Sequence, residues 1–219
     1  MNKHYYLIID TETANTVKDP LTYDIGFAII DRNGTIYETY SFIVRDVFYN
    51  MSDIMQTSYY NKKIPQYVND IQNGSRVVLN FMQIWWFIRQ LCSKYPIKAI
   101  IAHNAPFDVR ALNTTIRYLT KSKYRYFFPY KVEIWDTLRM ARQIIGTQKR
   151  YKKFCEKNGY ICGNGRVRLT AEILYRYIIN DINFVESHTG LEDVLIEKEI
   201  FVKCIRAKKK MEKRAFVRK

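Results

Sequence analysis

The chain has 219 residues, of which 47% are hydrophobic, and it carries 36 Lys and Arg against 21 Asp and Glu, a formal net charge of +15. The length fits one compact domain with a real core. No apolar stretch approaches the roughly 20 residues that span a bilayer, which excludes a helical membrane protein.

The excess of positive charge favours a polyanionic partner, because each phosphate contact releases condensed counterions. Eighteen Tyr and 12 Phe add rings on which the bases of a single strand can stack. Abundant Lys, Asn, Ile and Tyr also mark a low-GC genome, bacterial or phage, so composition alone does not decide the partner. Cys92, Cys155, Cys162 and Cys204 show no metal-ligand spacing and read as reduced, buried thiols. Met1-Asn2-Lys3-His4 runs straight into the first apolar segment without a signal peptide, so a cytoplasmic protein is expected.

Along the chain, Tyr5-Tyr6-Leu7-Ile8-Ile9 reads as a buried strand. The runs Asp24–Ile30 and Thr35–Ile43, joined by Arg32-Asn33-Gly34, read as a hairpin. Residues 46–74 are irregular and polar, with Tyr59-Tyr60-Asn61-Lys62-Lys63 read as mobile. The spacing of Val78, Phe81, Met82, Trp85, Ile88, Leu91 and Cys92 predicts a helix capped by Ser75 and running to Tyr95, with Trp85-Trp86 in core packing. Further on come a strand at Ala99–Ala102, a helix over Pro106–Leu119 with Asn104 as N-cap, and a strand at Val132–Trp135. Helices are expected at Thr137–Ile145, Tyr151–Asn158, Ala171–Ile179 and Gly190–Arg206. An antiparallel meander followed by β-α-β-α predicts an α/β fold, a mixed sheet with helices on both faces. Residues 1–206 are expected to form the domain and 207–219 a basic tail.

Three acidic segments stand out. Asp10 and Glu12 lie two apart and share a face of the first strand. Two carboxylates so placed repel each other unless a cation lies between them, and an all-oxygen set suits Mg²⁺ or Mn²⁺. Taken alone, the pair is also an ordinary solvated D-x-E. Asp108 falls in the early turns of a helix, where the macrodipole favours an ionised carboxylate. Five helical residues rotate by about 500°, so His188 and Asp193 cannot share a helical face. Thr189 and Glu192 have the form of a capping box, which starts the helix between them and leaves His188 on a loop with Asp193 in the first turn.

Together these segments resemble the DEDDh exonucleases of the DnaQ-like, ribonuclease H-fold superfamily. D-x-E matches Asp10-Thr11-Glu12, H-N-A-x-F-D matches His103 to Asp108, and H-x-x-x-x-D matches His188 and Asp193; the resemblance covers roughly residues 4–202. Asp24-Ile25-Gly26 and Trp135-Asp136-Thr137 resemble secondary landmarks, with Asp136 read as structural. The usual glycine-isoleucine-threonine segment is missing from residues 46–75, and the basic end, from Lys208 to Arg218 and Lys219, lies outside the family pattern.

The resemblance implies a ribonuclease H-like mixed five-stranded sheet and a 3′→5′ exonuclease releasing 5′-mononucleotides. It further implies two divalent cations, Mg²⁺ or Mn²⁺, on Asp10, Glu12, Asp108 and Asp193, with His188 as proton acceptor. Thr11, Thr13, Asn104 and Phe107 would contact the terminal nucleotide. The implied partners are single-stranded DNA or RNA 3′ ends and a DNA polymerase or replication complex, with no membrane. Alternatives are an exoribonuclease of the ribonuclease T or oligoribonuclease kind and a non-catalytic nucleic-acid-binding module.

Overall fold

A computed structural model describes residues 4–216; Met1 to Lys3 and Val217 to Lys219, with the basic residues Arg218 and Lys219, lie outside the described residues. Strands β1 (Tyr5–Asn15), β2 (Pro20–Asp31) and β3 (Ile36–Val44) form the expected antiparallel meander. Strands β5 (Ile97–Ala102) and β6 (Glu133–Asp136) extend it in parallel on the β1 side. Among the described residues the sheet has six strands, not five; with β4 at Val77–Leu79 their order is β4-β3-β2-β1-β5-β6.

The additional strand, β4 (Val77–Leu79), pairs in parallel with Phe42–Val44. The helix expected from Ser75 therefore begins later, as α4 (Phe81–Lys94), where Asn80 and Gln83 form a reciprocal capping box. Periodicity alone could not separate three strand residues from the helix that follows them. Trp85 packs against the core and donates its indole N–H to the Tyr126 carbonyl at 3.2 Å, while Trp86 is on the surface.

Residues 45–72 are largely helical, in contrast to the irregular segment expected: α1 (Arg45–Phe48), α2 (Ser52–Met55), a 3₁₀ turn over Asn61–Lys63 and α3 (Ile64–Gln72). The remaining helices are α5 (Pro106–Thr120), α6 (Thr137–Ile144), α7 (Lys149–Lys157), α8 (Ala171–Ile179) and α9 (Gly190–Arg206). Alternation along β1 divides the core in two. Leu7 and Ile9 face the layer built with α1–α5, and Tyr6 and Ile8 face the layer built with α6–α9.

Two features of this packing create room for a site. First, β5 pairs with β1 only as far as Ile8, so one edge of β1 is released beyond that point. Second, α9 starts hard against β2. A Cβ on Gly26 would lie 2.1 Å from the Gly190 carbonyl carbon, and one on Gly190 would lie 2.5 Å from the Gly26 nitrogen. Only two glycines permit that approach, and Gly26 is the register partner of Asp10.

The basic end returns along β6. The Lys213 carbonyl accepts the Asp136 N–H at 2.7 Å, and Ala215 N–H donates to the Ile134 carbonyl at 2.9 Å. Arg214 pairs with Glu133 at 2.6 Å, and the Lys213 ammonium lies 4.9 Å from the centre of the Trp135 ring. These residues thus cover an edge strand, a position where exposed backbone groups otherwise invite pairing with another chain.

Candidate active site

Asp10 and Glu12 lie inside β1, not in a turn after it, because the strand continues to Asn15 with a register shift after Glu12. Their parity matches Tyr6 and Ile8, so both are presented to the α9 side of the sheet. Thr11 has the opposite parity. Its N–H, without a β5 partner, donates to Asp108 Oδ1 at 3.2 Å, and its hydroxyl donates to the same oxygen at 2.9 Å. Thr11, expected to contact the terminal nucleotide, thus gives its N–H and its hydroxyl to Asp108.

Asp108 reaches β1 from the first turn of α5. The N-cap of that helix is Ala105, not Asn104. Asn104 adopts a left-handed conformation, φ 66°, one that asparagine tolerates better than most side chains. Its carbonyl accepts the Phe107 N–H at 2.9 Å, and its N–H donates to Asp136 Oδ1 at 3.0 Å. Asp136 also caps α6 through the Leu138 N–H at 2.9 Å. The His103 ring bridges Thr137 at 2.9 Å and the Leu169 carbonyl at 2.8 Å. A carbonyl partner requires the proton on Nε2, and burial lowers the pKa of this imidazole.

Thr189 is the N-cap of α9, without the reciprocal box expected from Thr189 and Glu192. The Thr189 hydroxyl donates to the Glu192 carboxylate, which also receives Arg76 at 3.0 Å. Arg76 is 4% exposed and additionally pairs with Asp24 at 3.3 Å and Asp70 at 3.1 Å. Asp24, fully buried, accepts the first N–H of α9 from Gly190 at 2.9 Å and the Tyr67 hydroxyl at 2.9 Å. One arginine and one aspartate thus join residues 64–76 to the start of α9.

That anchoring brings Asp193 over β1. Asp10, Glu12 and Asp193 can each offer an oxygen within 4.8 Å of the others, and Glu186, His188 and Asp193 form a second such group. Asp108 completes the cleft wall without joining either tight triplet. His188 lies on the loop before α9 with φ 51°. Its ring stacks on Tyr60, centroids 4.6 Å apart and planes 14° from parallel, and its Nδ1 lies 3.6 Å from Glu186. Tyr60 belongs to the segment read as mobile; here it backs the histidine.

The acids raise one another's pKa. Burial, then repulsion from Asp108, Glu197, Asp193 and Glu12, drives Asp10 well above the usual carboxylate range. Burial and Asp193 push Glu12 up to about 9. Asp193 rises to about 8 through burial and Glu186. Asp108 rises only to about 7, since burial is offset by the two Thr11 hydrogen bonds. His188 is lowered by burial and by Lys63, which keeps the imidazole neutral at pH 7.

These carboxylates fit divalent cations. Every carboxylate offers hard oxygens, and the buried Asp193 Oδ1 has no hydrogen-bond partner among the described residues. Glu197 was not singled out from the sequence, yet it is buried beside the cluster. Its position four residues after Asp193 on a helix was the available signal.

The acids line part of a cleft of about 1400 Å³ whose lining elsewhere is mainly basic, with exposed Arg142, Lys152, Arg166 and Arg168 beside a single acid, Glu156. None of these four cations makes an ion pair among the described residues. A smaller hollow of about 390 Å³ adjoins Glu12 and is lined by Thr11, Thr13, Tyr59, Tyr60 and Phe107, among others.

Comparison with solved structures gives E. coli exonuclease I in complex with a dT13 oligonucleotide, at TM-score 0.56 and 13% identity, covering 94% of this chain and 41% of that one. The zinc-bound form of the exonuclease I–ssDNA complex gives TM-score 0.58 and 13% identity over the same shares. Cell-death related nuclease 4 gives 0.53 and 12%, covering 93% of this chain and 64% of that one. The fold, a mixed sheet flanked by helices, is the one these solved exonucleases share. The chain spans about two fifths of the length of exonuclease I. No protein-family model and no curated protein sequence matches it. Among the described residues, no helix is long and apolar enough to cross a membrane.

Proposed function

We propose that the chain is a metal-dependent 3′→5′ exonuclease that removes 5′-mononucleotides from single-stranded nucleic acid, DNA above all. The observation that carries this reading is the meeting of Asp10, Glu12, Asp108 and Asp193, from β1, α5 and α9, beside His188. Three rigid elements converge there at the cost of strong carboxylate repulsion, an arrangement that a binding module has no need of. Exonuclease I, with which the fold is shared, is bound to DNA in its complexes, which favours DNA over RNA.

Asp10, Glu12, Asp108 and Asp193 are the residues to hold two Mg²⁺ or Mn²⁺ ions. Such ions, when bound, acidify a water for in-line attack and stabilise the leaving 3′ oxygen. Thr11 holds Asp108 in place with its N–H and hydroxyl. Neutral His188, backed by Tyr60, accepts the proton of the attacking water. The hollow beside Glu12 takes the 3′-terminal nucleotide between Phe107, Thr13 and Tyr59, and the basic end of the cleft neutralises phosphates upstream. A polymerase or replication complex is the partner that would supply such ends.

The test is incubation of 5′-labelled DNA and RNA oligomers with Mg²⁺, with Mn²⁺ and with EDTA. The reading requires ladders shortening from the 3′ end in metal and none in EDTA. Loss of label from the 5′ end, or intact oligomers in both metals, overturns it; faster trimming of RNA transfers it to the exoribonuclease kind.

A further inference from the structure

On α9 the residue four after Asp193 is Glu197, one helical turn further on and on the same face. It is 2% exposed. Its surroundings on α9 are otherwise apolar: Val194, Ile196, Ile200 and Phe201 are all buried. One of its oxygens, Oε1, accepts the His103 N–H at 2.8 Å. The other, Oε2, is buried without a hydrogen-bond partner among the described residues, although the residue lines the cleft with Asp10, Asp108 and Asp193.

An unsatisfied buried acceptor costs about 1–3 kcal/mol, and more when charged. Ionised carboxylates cannot relieve it, because they are acceptors only. A residue needed merely to hold the His103 N–H requires a single acceptor oxygen, a role glutamine fills without a charge. With its acidic neighbours ionised, the group that satisfies Oε2 and also reconciles it with them is a cation or a cation-bound water, which takes the place of the protons these carboxyls otherwise retain. The orphaned Asp193 Oδ1 on the same helical face points to the same ligand independently.

We propose that Glu197 is a fifth carboxylate of the metal centre, its Oε1 fixed by the His103 N–H and its Oε2 serving a divalent cation directly or through one bound water. This assignment rests on the metal-dependent reading above and extends it. It also couples the centre to the β5–α5 connection, since the backbone that Glu197 holds leads through Asn104 to Asp108.

The experiment titrates Mn²⁺ into the metal-stripped 219-residue chain by calorimetry and records Tm in EDTA. E197Q keeps an acceptor for His103 and removes the charge. It should bind Mn²⁺ about 10–100-fold more weakly, with a Tm in EDTA no lower than that of the native chain. Affinity within about threefold of native would overturn the proposal, being well short of that range; so would a fall in Tm without loss of affinity, the mark of a purely structural brace. If E197Q does not fold, E197D carries the test, because it retains the charge but withdraws the oxygen by one methylene. Weaker Mn²⁺ binding then supports the role, and native affinity sinks it. A native chain that binds no Mn²⁺ overturns the exonuclease reading itself; native binding with unaltered E197Q affinity overturns only the role of Glu197.

Discussion

At its acidic end the cleft is walled by β1, α5 and α9, and each carboxylate is fixed by backbone geometry or by a buried partner. At its other end Arg142 projects from α6 and Lys152 from α7, while Arg166 and Arg168 belong to the loop-rich stretch between α7 and α8. These cations are exposed and make no ion pair among the described residues. The acids are half-buried (Asp10, Glu12) or buried (Asp108, Asp193) and mutually repulsive; the cations are solvated. Chemistry on one phosphate needs fixed ligands, whereas holding a flexible polyanion needs only charge. Changes at the first end should therefore be severe and local, and changes at the second graded and salt-dependent.

The sharpest break of that contrast is Asp10→Ala. It removes a carboxylate of the proposed metal centre, and cleavage should fall to the level seen in EDTA. Robust turnover by this variant in Mg²⁺, measured on a 5′-labelled oligomer, would show that the acidic end is not the reaction centre.

Next in size is the brace. Arg76→Met leaves Asp24 and Glu192 without their buried cation, and breaking such a pair typically costs about 3–5 kcal/mol. Chemical unfolding of the metal-free chain should show a loss of that order. A loss below about 1 kcal/mol, the worth of an exposed pair, would mean that the glycine packing and the Asp24–Gly190 hydrogen bond hold the α9 start without the arginine.

His188→Ala should lower turnover by about 10²–10⁴-fold while oligomer binding in Ca²⁺ persists. The acidic limb of the rate profile should go with it, because the native rate rises as the imidazole loses its proton below its ordinary value. An unchanged rate and profile would leave His188 as a loop residue stacked on Tyr60.

The repulsion among the acids gives a measurable pH effect. In the metal-free fold Glu12 titrates at about 9, Asp193 at about 8 and Asp108 at about 7, all above their unfolded values near 4. Between those limits the folded state holds more protons than the unfolded state, so stability falls as pH rises from about 4 towards 9. Divalent metal should oppose the fall, since its ligands bind deprotonated. Tm in EDTA that rises across that window would contradict the burial of these carboxylates.

The legibility of the molecule in its sequence follows the same division. Local signals carried the β2–β3 hairpin, the bounds of α8 and α9, and the loop position of His188. They failed where a contact spans a long stretch of chain. β4 depends on pairing with β3, and its three residues blend into the helix that follows. Tyr60 reaches His188 only because residues 45–72 fold into short helices, and Arg76 gains its meaning from Asp24 and Glu192, which lie 52 and 116 residues away. Glu197 was within reach: an acid one turn after Asp193, at the spacing of a buried face, conflicts with the apolar pattern of α9. Such a conflict between local pattern and burial is where functional residues concentrate.

The smallest expected effect belongs to the basic end. Arg166 and Arg168 are exposed and make no ion pair among the described residues, so replacing both with Gln should leave stability unchanged and hydrolysis of a dinucleotide unaltered. On long single strands, removing one cation from the phosphates should reduce the log–log salt slope of binding by about 0.7. The pair together should change it by about 1.4, with KM raised and kcat retained. The Arg214 guanidinium provides the contrast, because it is already paired with Glu133 on the β6 edge. Arg214→Gln should leave the salt slope where it is. If the slope instead responds to Arg214 and not to Arg166 and Arg168, the strand leaves the acidic centre along the C-terminal segment, and the exposed cations of the cleft are a solvated rim.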